Sequence, residues 1–555
     1  MKKIIHLIIL IVIPTIINSQ SIITTKHNLS IGGPGNVKAT SETEICLFCH
    51  TNHNSSPAAP LWNRKSSGAQ YTIYNSSTMK ALPGQPSGSS ILCLSCHDGT
   101  IALGSVLSRP KIISFANTVA MPAGKSNLAT DLRNDHPISF LYDNDLAKSN
   151  GQLKDPSNLG SKVKLENNQL QCTSCHDPHK NINSDFLVAS TKKSELCIIC
   201  HDNKTWVTSS HNTSEKTWNK VLPNPWPYTP WTTVAENACE NCHNPHNSGG
   251  LKRLLKYPAE EDNCLDCHNG NAASKNIQAE FTKTYRHDVY AYTGAHDPTE
   301  DVTVTTKHVE CVDCHNSHAS TKAQDNTKAP VVRGPNVGVK GINQGGIAVN
   351  SVKYEYEICY RCHADNALTA SPSARQIVQN NVRLEFDPVN PSFHPIAAVG
   401  KNTSISGLIA PLTASSMIYC TDCHASNGQN SPAGPHGSMY PQILKYNYDR
   451  SANFADNRSA YELCYQCHDQ SATTNSHNAF SGTQTHGRLT SCNTCHDPHG
   501  VSVSQGNSVN NSYLINFTNI VTKNSLGILN YTKNSPGHGT CNLSCHKHDH
   551  INSLY

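Results

Sequence analysis

Every cysteine in this chain belongs to a closely spaced pair, and the second cysteine of each pair is followed at once by a histidine. The chain holds 24 cysteines, so twelve such motifs use all of them. Eleven motifs read C-x-x-C-H, and the last, CNLSCH at the C-terminal end, has three residues between its cysteines. Any fold for this chain must therefore accommodate the same dithiol–imidazole group twelve times.

The motifs run along the whole chain after the first 45 residues. The cysteine pairs are Cys46 and Cys49, Cys93 and Cys96, Cys172 and Cys175, Cys197 and Cys200, Cys239 and Cys242, Cys264 and Cys267, Cys311 and Cys314, Cys359 and Cys362, Cys420 and Cys423, Cys464 and Cys467, Cys492 and Cys495, and Cys541 and Cys545. The histidines that follow them are His50, His97, His176, His201, His243, His268, His315, His363, His424, His468, His496 and His546.

Three chemistries use paired cysteines. A disulfide framework is usual in exported proteins, but it does not require a histidine after every pair. Zinc sites combine two C-x-x-C turns or add spaced histidines, and they do not need one directly after the pair. C-x-x-C-H is the attachment signature of c-type haem, in which two thiols bond to the porphyrin and the histidine binds the iron as proximal ligand. We predict twelve covalently attached haem c groups, including one at CNLSCH.

The composition agrees with a chain built around haem. Only 37% of residues are apolar and the mean hydropathy is −0.47, so side chains alone offer little core. We predict a mostly irregular fold with short α-helices and few strands, in which porphyrins form the hydrophobic core. Taking the motifs two at a time predicts a tandem array of six di-haem modules, at residues 21–100, 101–205, 206–270, 271–365, 366–470 and 471–555.

The N-terminus predicts export. Lys2 and Lys3 precede an apolar run from Ile4 to Ile17, and small polar residues follow. This pattern indicates a signal peptide at residues 1–20, an uncleaved membrane anchor being the alternative. The expected location is periplasmic, outer-membrane-associated or extracellular. The formal charge of +4 becomes negative once roughly 24 haem propionates are added, so nucleic acid is not an expected partner.

The remaining histidines recur in two sets of candidate distal iron ligands. Thirteen of the 31 histidines are the twelve proximal residues and His6 in the leader, which leaves 18. One set lies three residues after the first proximal histidine of a module, or further on in the fifth module: His53, His179, His246, His318, His436 and His499. The other set lies upstream of the first cysteine: His27, His136, His211, His287, His394 and His477.

One upstream and one downstream histidine per module would complete two bis-histidine haems. We expect His179 to reach the other haem of its own module, at Cys197–His201. His296 and His308 compete with His287, and His486 and His538 compete with His477. His548 and His550 are expected to lie in a solvated tail.

The alternation of CxxCHxPH with a later LCxxCH resembles the doubled-CXXCH family of multihaem cytochromes c. TKHNLS…EICLFCHTNH…LWNR and GPHGS…ELCYQCHD are similar to typical segments of that group. The resemblance covers essentially the whole mature chain, and it is greatest to large outer-membrane and periplasmic cytochromes of bacteria that respire on extracellular acceptors. It implies closely spaced bis-histidine haems, with redox proteins, extracellular acceptors or an outer-membrane porin as partners. CNLSCH and the displaced His436 depart from the family pattern.

Three functions remain open from the sequence. Six-coordinate iron passes electrons and holds no substrate, which favours an exported electron-transfer protein that is not an enzyme. A nitrite- or hydroxylamine-converting enzyme would need one five-coordinate iron, whereas distal candidates are in surplus here. A third reading is a subunit of a polymeric extracellular filament, in which spare histidines such as His538, His548 or His550 bind a haem of the next subunit.

Overall fold

The architecture is that of a chain of short elements joined by long irregular segments. The structure, a computed structural model, describes residues 22–554 except 58, 60, 304–307, 323–325, 366–372, 404, 406, 452–457, 473–490 and 546. Within these residues the longest α-helix has 10 residues and the longest strand has 8. The predicted fold of loops with short helices and few strands is confirmed. The predicted leader at residues 1–20 lies outside the described residues, as do His477, His486 and His546.

The helices are concentrated at the cysteine motifs. The α-helices are α1 (Gly88–His97), α2 (Asn144–Asn150), α3 (Cys172–Cys175), α4 (Ser210–Thr213), α5 (Val234–Asn237), α6 (Glu260–His268), α7 (Cys311–Cys314), α8 (Tyr356–His363), α9 (Val382–Glu385) and α10 (Cys420–Cys423). The 3-10 helices are Ile22–Thr24, Cys46–Phe48, Pro156–Asn158, Ser184–Phe186, Lys192–Ser194, Cys197–Ile199, Trp206–Thr208, Ala238–Asn241, Glu280–Thr282, Val289–Ala291, Gly334–Asn336, Pro441–Ile443, Arg458–Tyr461, Cys464–Gln466, Cys492–Thr494 and Ser512–Leu514.

The strands form small sheets. They are β1 (Thr72–Ile73), β2 (Asp131–Leu132), β3 (Phe140–Leu141), β4 (Gln169–Leu170), β5 (Tyr285–Arg286), β6 (Gly341–Ile342), β7 (Ala348–Val349), β8 (Ser392–Phe393), β9 (Gly437–Ser438), β10 (Gly500–Val501), β11 (Asn530–Ser535), β12 (His538–Cys545) and β13 (His548–Leu554). β1 pairs with β2 in parallel. The antiparallel pairs are β3–β4, β5–β9, β6–β7 and β8–β10, and β11, β12 and β13 form an antiparallel sheet in that order.

The chain divides into two compact units. The first contains Met1–Asp202 and Asn244–Leu254, and the second contains Asn203–His243 and Leu255–Tyr555. In the first unit, one cluster of buried apolar side chains surrounds Tyr142 and a smaller one surrounds Leu94. In the second, several separate clusters of three to seven buried residues take the place of one continuous core. These clusters are small because turns and loops dominate the sequence.

Buried polar side chains hold the loops in place. Arg64 is fully buried, and its guanidinium donates to the carbonyls of Leu103, Ser95 and Ala102 at 2.6 to 3.0 Å. In the second unit, Arg375 donates to the carbonyl of Asn516 at 2.6 Å. Buried backbone carbonyls need such donors where no helix or sheet supplies them. The irregular chain is thus stabilised by specific hydrogen bonds as well as by apolar contacts.

A loop of common form follows the first motif of most modules. The proximal histidine forms a bridge with an apolar residue eleven to twenty residues on, in the pairs His50–Trp62, His176–Leu187, His243–Leu255, His424–Leu444 and His496–Ile515. The next residue then donates its N–H to the second cysteine's carbonyl, as Val188 does to Cys175 at 2.9 Å. The residues just before the bridge have positive φ, for example Arg253 at 56° and Leu254 at 54°. This loop returns the chain to its own motif and fixes the proximal ring.

Candidate haem centres

Each regular motif forms one helical turn that brings its three functional groups to one side. The histidine N–H donates to the carbonyl of the first cysteine, at 3.0 Å from His176 to Cys172 and at 2.9 Å from His201 to Cys197. Residues three and four apart on a helix share a face, so both thiols and the imidazole converge. None of the 24 cysteines, all of which lie in the described residues, forms a disulfide. The structure therefore has no disulfide framework, and each turn has the form that two thioether bonds to one porphyrin require.

Nine proximal histidines face a second imidazole at a nearly constant distance. The ring centroids lie 6.1 to 6.3 Å apart in all nine pairs. The pairs are His50–His179, His97–His27, His176–His246, His201–His136, His243–His318, His268–His211, His315–His436, His363–His287 and His424–His499. Two metal–nitrogen bonds of about 2 Å and half of each ring place such centroids roughly 6.2 Å apart. The spacing fits one iron between each pair.

The pairs follow a register that differs from the one expected. The four upstream histidines in these pairs each face the second motif of their own module, as His27 faces His97. The five downstream histidines in these pairs each face the first motif of the preceding module. The expectation that His179 reaches the motif of His201 is therefore wrong, because His179 faces His50, and His201 faces His136.

The direction of the downstream ring is set by the residue after the proximal histidine. Asp177 accepts the N–H of His179 through Oδ1 at 3.0 Å, and Asn316 accepts that of His318 at the same distance. Asp497 does the same for His499 at 3.3 Å. Asp and Asn side chains commonly close such turns by accepting the N–H two residues on. The turn carries the second imidazole away from the first, so the two rings serve different sites.

Hydrogen bonds at Nδ1 orient the rings. Proximal His97 donates to the carbonyl of Ser126 at 2.7 Å, and His176 donates to that of Asp185 at 2.8 Å. A histidine that donates from Nδ1 presents the lone pair of Nε2 to a metal. Among the upstream rings, Nδ1 contacts the carbonyl of the residue just before a downstream histidine, in the pairs His27–Pro178, His211–Ser317, His287–Pro435 and His394–Pro498. These hydrogen bonds connect each of these upstream rings to the segment that carries a downstream ring.

Burial lowers the pKa of several of the paired imidazoles. It lowers the pKa of His268 and His424 to about 4 and that of His436 to about 3, with neighbouring imidazoles adding to the effect. Burial and then His394 lower the pKa of His468 to about 4. The neutral ring is the form that binds a metal. His394 thus lies near the motif of its own module, in agreement with the register.

Two downstream rings have a carboxylate partner that sequence reasoning missed. Nδ1 of His246 lies 3.0 Å from Oδ1 of Asp135, and Nδ1 of His499 lies 2.7 Å from Oε2 of Glu385. Burial opposes charge on His499, but Glu385 raises the pKa of that ring. Asp135 and Glu385 are more than 100 residues from their partners, and no local sequence pattern signals them.

Two predicted positions depart from the common arrangement. His53 is exposed, and no imidazole in the described residues faces its ring. At the C-terminal motif, Cys541 and Cys545 lie on β12, opposite Tyr531 of β11 and His548 of β13. Cα atoms four residues apart in a strand are separated by about 13 Å, compared with roughly 5 to 6 Å across a helical turn. The described strand therefore does not fit a single haem as the other motifs do.

Consecutive motifs are neighbours within each unit. In the first unit, interaction with Cys172 raises the pKa of the Cys93 thiol, and burial and then Cys200 raise that of Cys175 to about 12. In the second unit the thiols of Cys264 and Cys311, and those of Cys359 and Cys420, interact in the same way. A porphyrin at one motif would thus lie beside the next one along the chain.

Comparisons with known proteins agree with this geometry. The family model for the doubled CXXCH motif matches residues 166–205, 232–275 and 410–473. In these three stretches the chain carries the doubled CXXCH motif of multihaem c-type cytochromes. It is also similar to the multiheme cytochrome MtrA of Shewanella baltica (strain OS185), with 23% identity over 176 residues, 32% of this chain. The match spans 41% of that relative's length.

The cytochrome binds haem c covalently through its CXXCH motifs. When bound, haem supplies an iron that alternates between the ferric and ferrous states. The cysteines and proximal histidines of the motifs would hold the haem, and the paired imidazoles, several of them with pKa values lowered by burial, would be available to its iron. No helix in the described part of the cytochrome is long and apolar enough to cross a membrane.

Proposed function

We propose that the cytochrome is an exported electron-transfer protein, with twelve haems that relay electrons between periplasmic donors and acceptors at or beyond the outer membrane. The observation that carries this proposal is the set of nine imidazole pairs with centroids 6.1 to 6.3 Å apart. An iron with imidazole on both sides has no open position for substrate, so transfer of electrons is the chemistry left to it.

The roles follow from the motif positions. The 24 cysteines are the covalent attachment points, and the twelve histidines directly after them are the proximal ligands. The proposed distal ligands are the nine partners in the imidazole pairs, with His394 for the haem of His468 and His477 for that of His546. These are eleven histidines, and the register assigns none to the iron of His496. Histidine as sixth ligand gives a lower potential than methionine, which suits a carrier at the reducing end of respiration. Expected partners are redox proteins, extracellular acceptors or an outer-membrane porin.

Spectroscopy of the oxidised protein tests the proposal. The eleven irons with two assigned histidines should give low-spin ferric signals in the EPR spectrum, and their stepwise reduction should be complete at low potential. A high-spin ferric signal of about one haem per chain, together with turnover of nitrite or hydroxylamine, would identify a catalytic iron and contradict the relay.

The haem number is tested by intact mass. We propose a haem at CNLSCH as well, supported by the shift of pairing register between Cys541 and Leu543, where β12 can bend. The wild type should carry twelve haem additions, and the double variant Cys541→Ala, Cys545→Ala should carry eleven. Eleven additions in both proteins would show that the strand excludes haem.

Self-association is a second candidate, favoured by His53. This residue occupies the position from which other downstream histidines reach the preceding module, yet no imidazole in the described residues faces its ring. Its exposed ring is available to an iron of a second copy. Electron microscopy at high protein concentration should then show polymers for the wild type and single particles for His53→Ala. Single particles for both proteins would contradict self-association. The spare residues His538, His548 and His550 lie at or near the β12–β13 hairpin, and His550 is buried.

A further inference from the structure

Two histidines of the second unit, buried His296 and half-buried His308, belong to none of the haem pairs. The rings of His296 and His308 face each other with centroids 5.9 Å apart. They do not replace His287, which faces His363. Beside them lie Glu310, directly before α7, and Asp313, within it. His308 is held in place by Tyr292, whose ring stacks on it at 4.4 Å.

The donor atoms of these four residues converge. Oε2 of Glu310 lies 2.8 Å from Nδ1 of His296 and 3.1 Å from Nε2 of His308. Oδ1 of Asp313 lies 3.8 Å from Nδ1 of His296. One ligand atom from each residue falls within 4.8 Å of all the others. Four ligands at about 2.0 to 2.1 Å from a tetrahedral metal lie roughly 3.3 Å from one another, close to these separations.

A second observation points to a missing cation. Glu310 is 2% exposed, and its Oε1 has no hydrogen-bond partner in the described residues. An unpartnered buried carboxylate oxygen is costly, and such an oxygen in a native structure commonly marks an ion or water.

The surrounding charges are predominantly negative. Glu300 lies 3.5 Å from His308, and the carboxylate of Glu260 accepts the N–H of His296 and of Val312. Arg361, which donates to Asp313 at 2.9 Å, is the one fully cationic side chain that these contacts bring to the cluster in the described residues. Four carboxylates therefore surround two imidazoles and one guanidinium, an environment that favours a divalent cation.

We propose that His296, His308, Glu310 and Asp313 bind a divalent transition-metal ion of the zinc class, separate from the haem irons. Two imidazoles and two carboxylates are a ligand set typical of zinc and its neighbours, whereas calcium prefers an all-oxygen set. The ion ties the segment carrying His296 to α7, and thus to the motif of Cys311–His315. Loss of the ion leaves the haem ligands themselves in place.

Metal analysis of the intact holoprotein tests the proposal. The purified cytochrome is incubated with zinc, desalted and analysed by inductively coupled plasma mass spectrometry. The iron content of the same sample, divided by the number of haems per chain, gives the amount of holoprotein. The wild type should retain about one zinc per chain. His296→Ala and His308→Ala should bind zinc at least tenfold more weakly, since each removes a ligand. His53→Ala, which removes an exposed histidine elsewhere, should bind as the wild type does.

Haem content distinguishes a lost site from a misfolded protein. Each variant should keep the wild-type number of haem additions by intact mass and the same low-spin EPR signals. A variant that loses haem is replaced by Glu300→Gln, which removes only a carboxylate neighbour of His308 and should weaken zinc binding. Zinc retention no greater in the wild type than in His308→Ala would overturn the proposal and identify the cluster as an ion pair of protonated histidine with Glu310.

Discussion

At the scale of single residues, the Asp or Asn after a proximal histidine orients the downstream histidine toward the proximal histidine of another module. Asp177 and Asn316 each accept the N–H of the downstream histidine and turn its ring toward the preceding module. Sequence spacing predicts the histidine itself but not its direction, because that direction depends on this short hydrogen bond and on a partner far along the chain.

Removal of His179 should expose the iron of His50. The variant His179→Ala is expected to show one high-spin ferric haem more than the wild type by EPR, whereas Glu195→Gln, which changes an exposed carboxylate, should show the wild-type spectrum. The double variant His136→Ala, His179→Ala should show two more, since the rings face His201 and His50 respectively. A single additional high-spin haem in the double variant would mean that both rings serve one iron.

The carboxylate beside His499 should tune one haem. Glu385 lies 2.7 Å from Nδ1 of that ring, and a carboxylate partner increases the basicity of a histidine ligand, which favours ferric iron. Glu385→Gln should raise the potential of one haem by about 50 mV, the equivalent of a roughly tenfold change in relative affinity. Spectroelectrochemical titration measures the shift, and exposed Glu195→Gln is the control. An unchanged set of potentials would show that this hydrogen bond does not tune the iron.

At the scale of elements, short strands with glycine hold the downstream rings. Gly437 and Gly500 directly follow His436 and His499, and each pairs with another strand. A Cβ atom at Gly437 would lie 1.9 Å from the carbonyl oxygen of Glu280, and one at Gly500 would lie 2.2 Å from that of Glu385. These glycines are required by close approach of the backbone.

Gly500→Ala should displace β10 and with it His499. We expect a loss of about 1 to 3 kcal/mol in the free energy of unfolding, the usual cost of overpacking, and a high-spin signal from the haem of His424. Thermal unfolding and EPR measure the two effects. Gly84→Ala is the matched control, because a Cβ there meets nothing within 4 Å. Equal unfolding midpoints for the two variants would contradict the steric argument.

At the scale of the whole molecule, the separate apolar clusters are too small to stabilise so long a chain. The largest described clusters have seven fully buried residues, each contributing about 1.5 to 3 kcal/mol, whereas ordering each residue's backbone costs about 1 to 2 kcal/mol. The remaining stabilisation must come from porphyrin faces packed among the helical turns.

Protein made without haem attachment should therefore not fold. Far-ultraviolet circular dichroism and limited proteolysis of the haem-free chain should show an unfolded, rapidly degraded polypeptide, while the holoprotein resists the protease. A haem-free chain as resistant as the holoprotein would show that the side-chain clusters are sufficient.

Much of the site could be predicted from the sequence because haem attachment is local. A helical turn places two thiols and an imidazole together wherever C-x-x-C-H occurs, so the attachment points follow from spacing alone. The pairing of His179 with His50, the carboxylates Asp135 and Glu385 and the cluster at Glu310 depend on contacts between distant segments. The strand at Cys541 was also unexpected, since pairing with β11 and β13 overrides the turn that the motif predicts.

The shift of register between modules has a consequence for synthesis and for growth of the chain. Each early repeat is completed only when the following repeat has been synthesised, so the imidazole pairs form in order from the N-terminus. A new repeat inserted by gene duplication would bring a downstream histidine that faces the repeat before it. Its own first proximal histidine would face the downstream histidine of the repeat after it. The chain could thus gain one repeat at a time while the existing histidine pairs between neighbouring repeats stay unchanged.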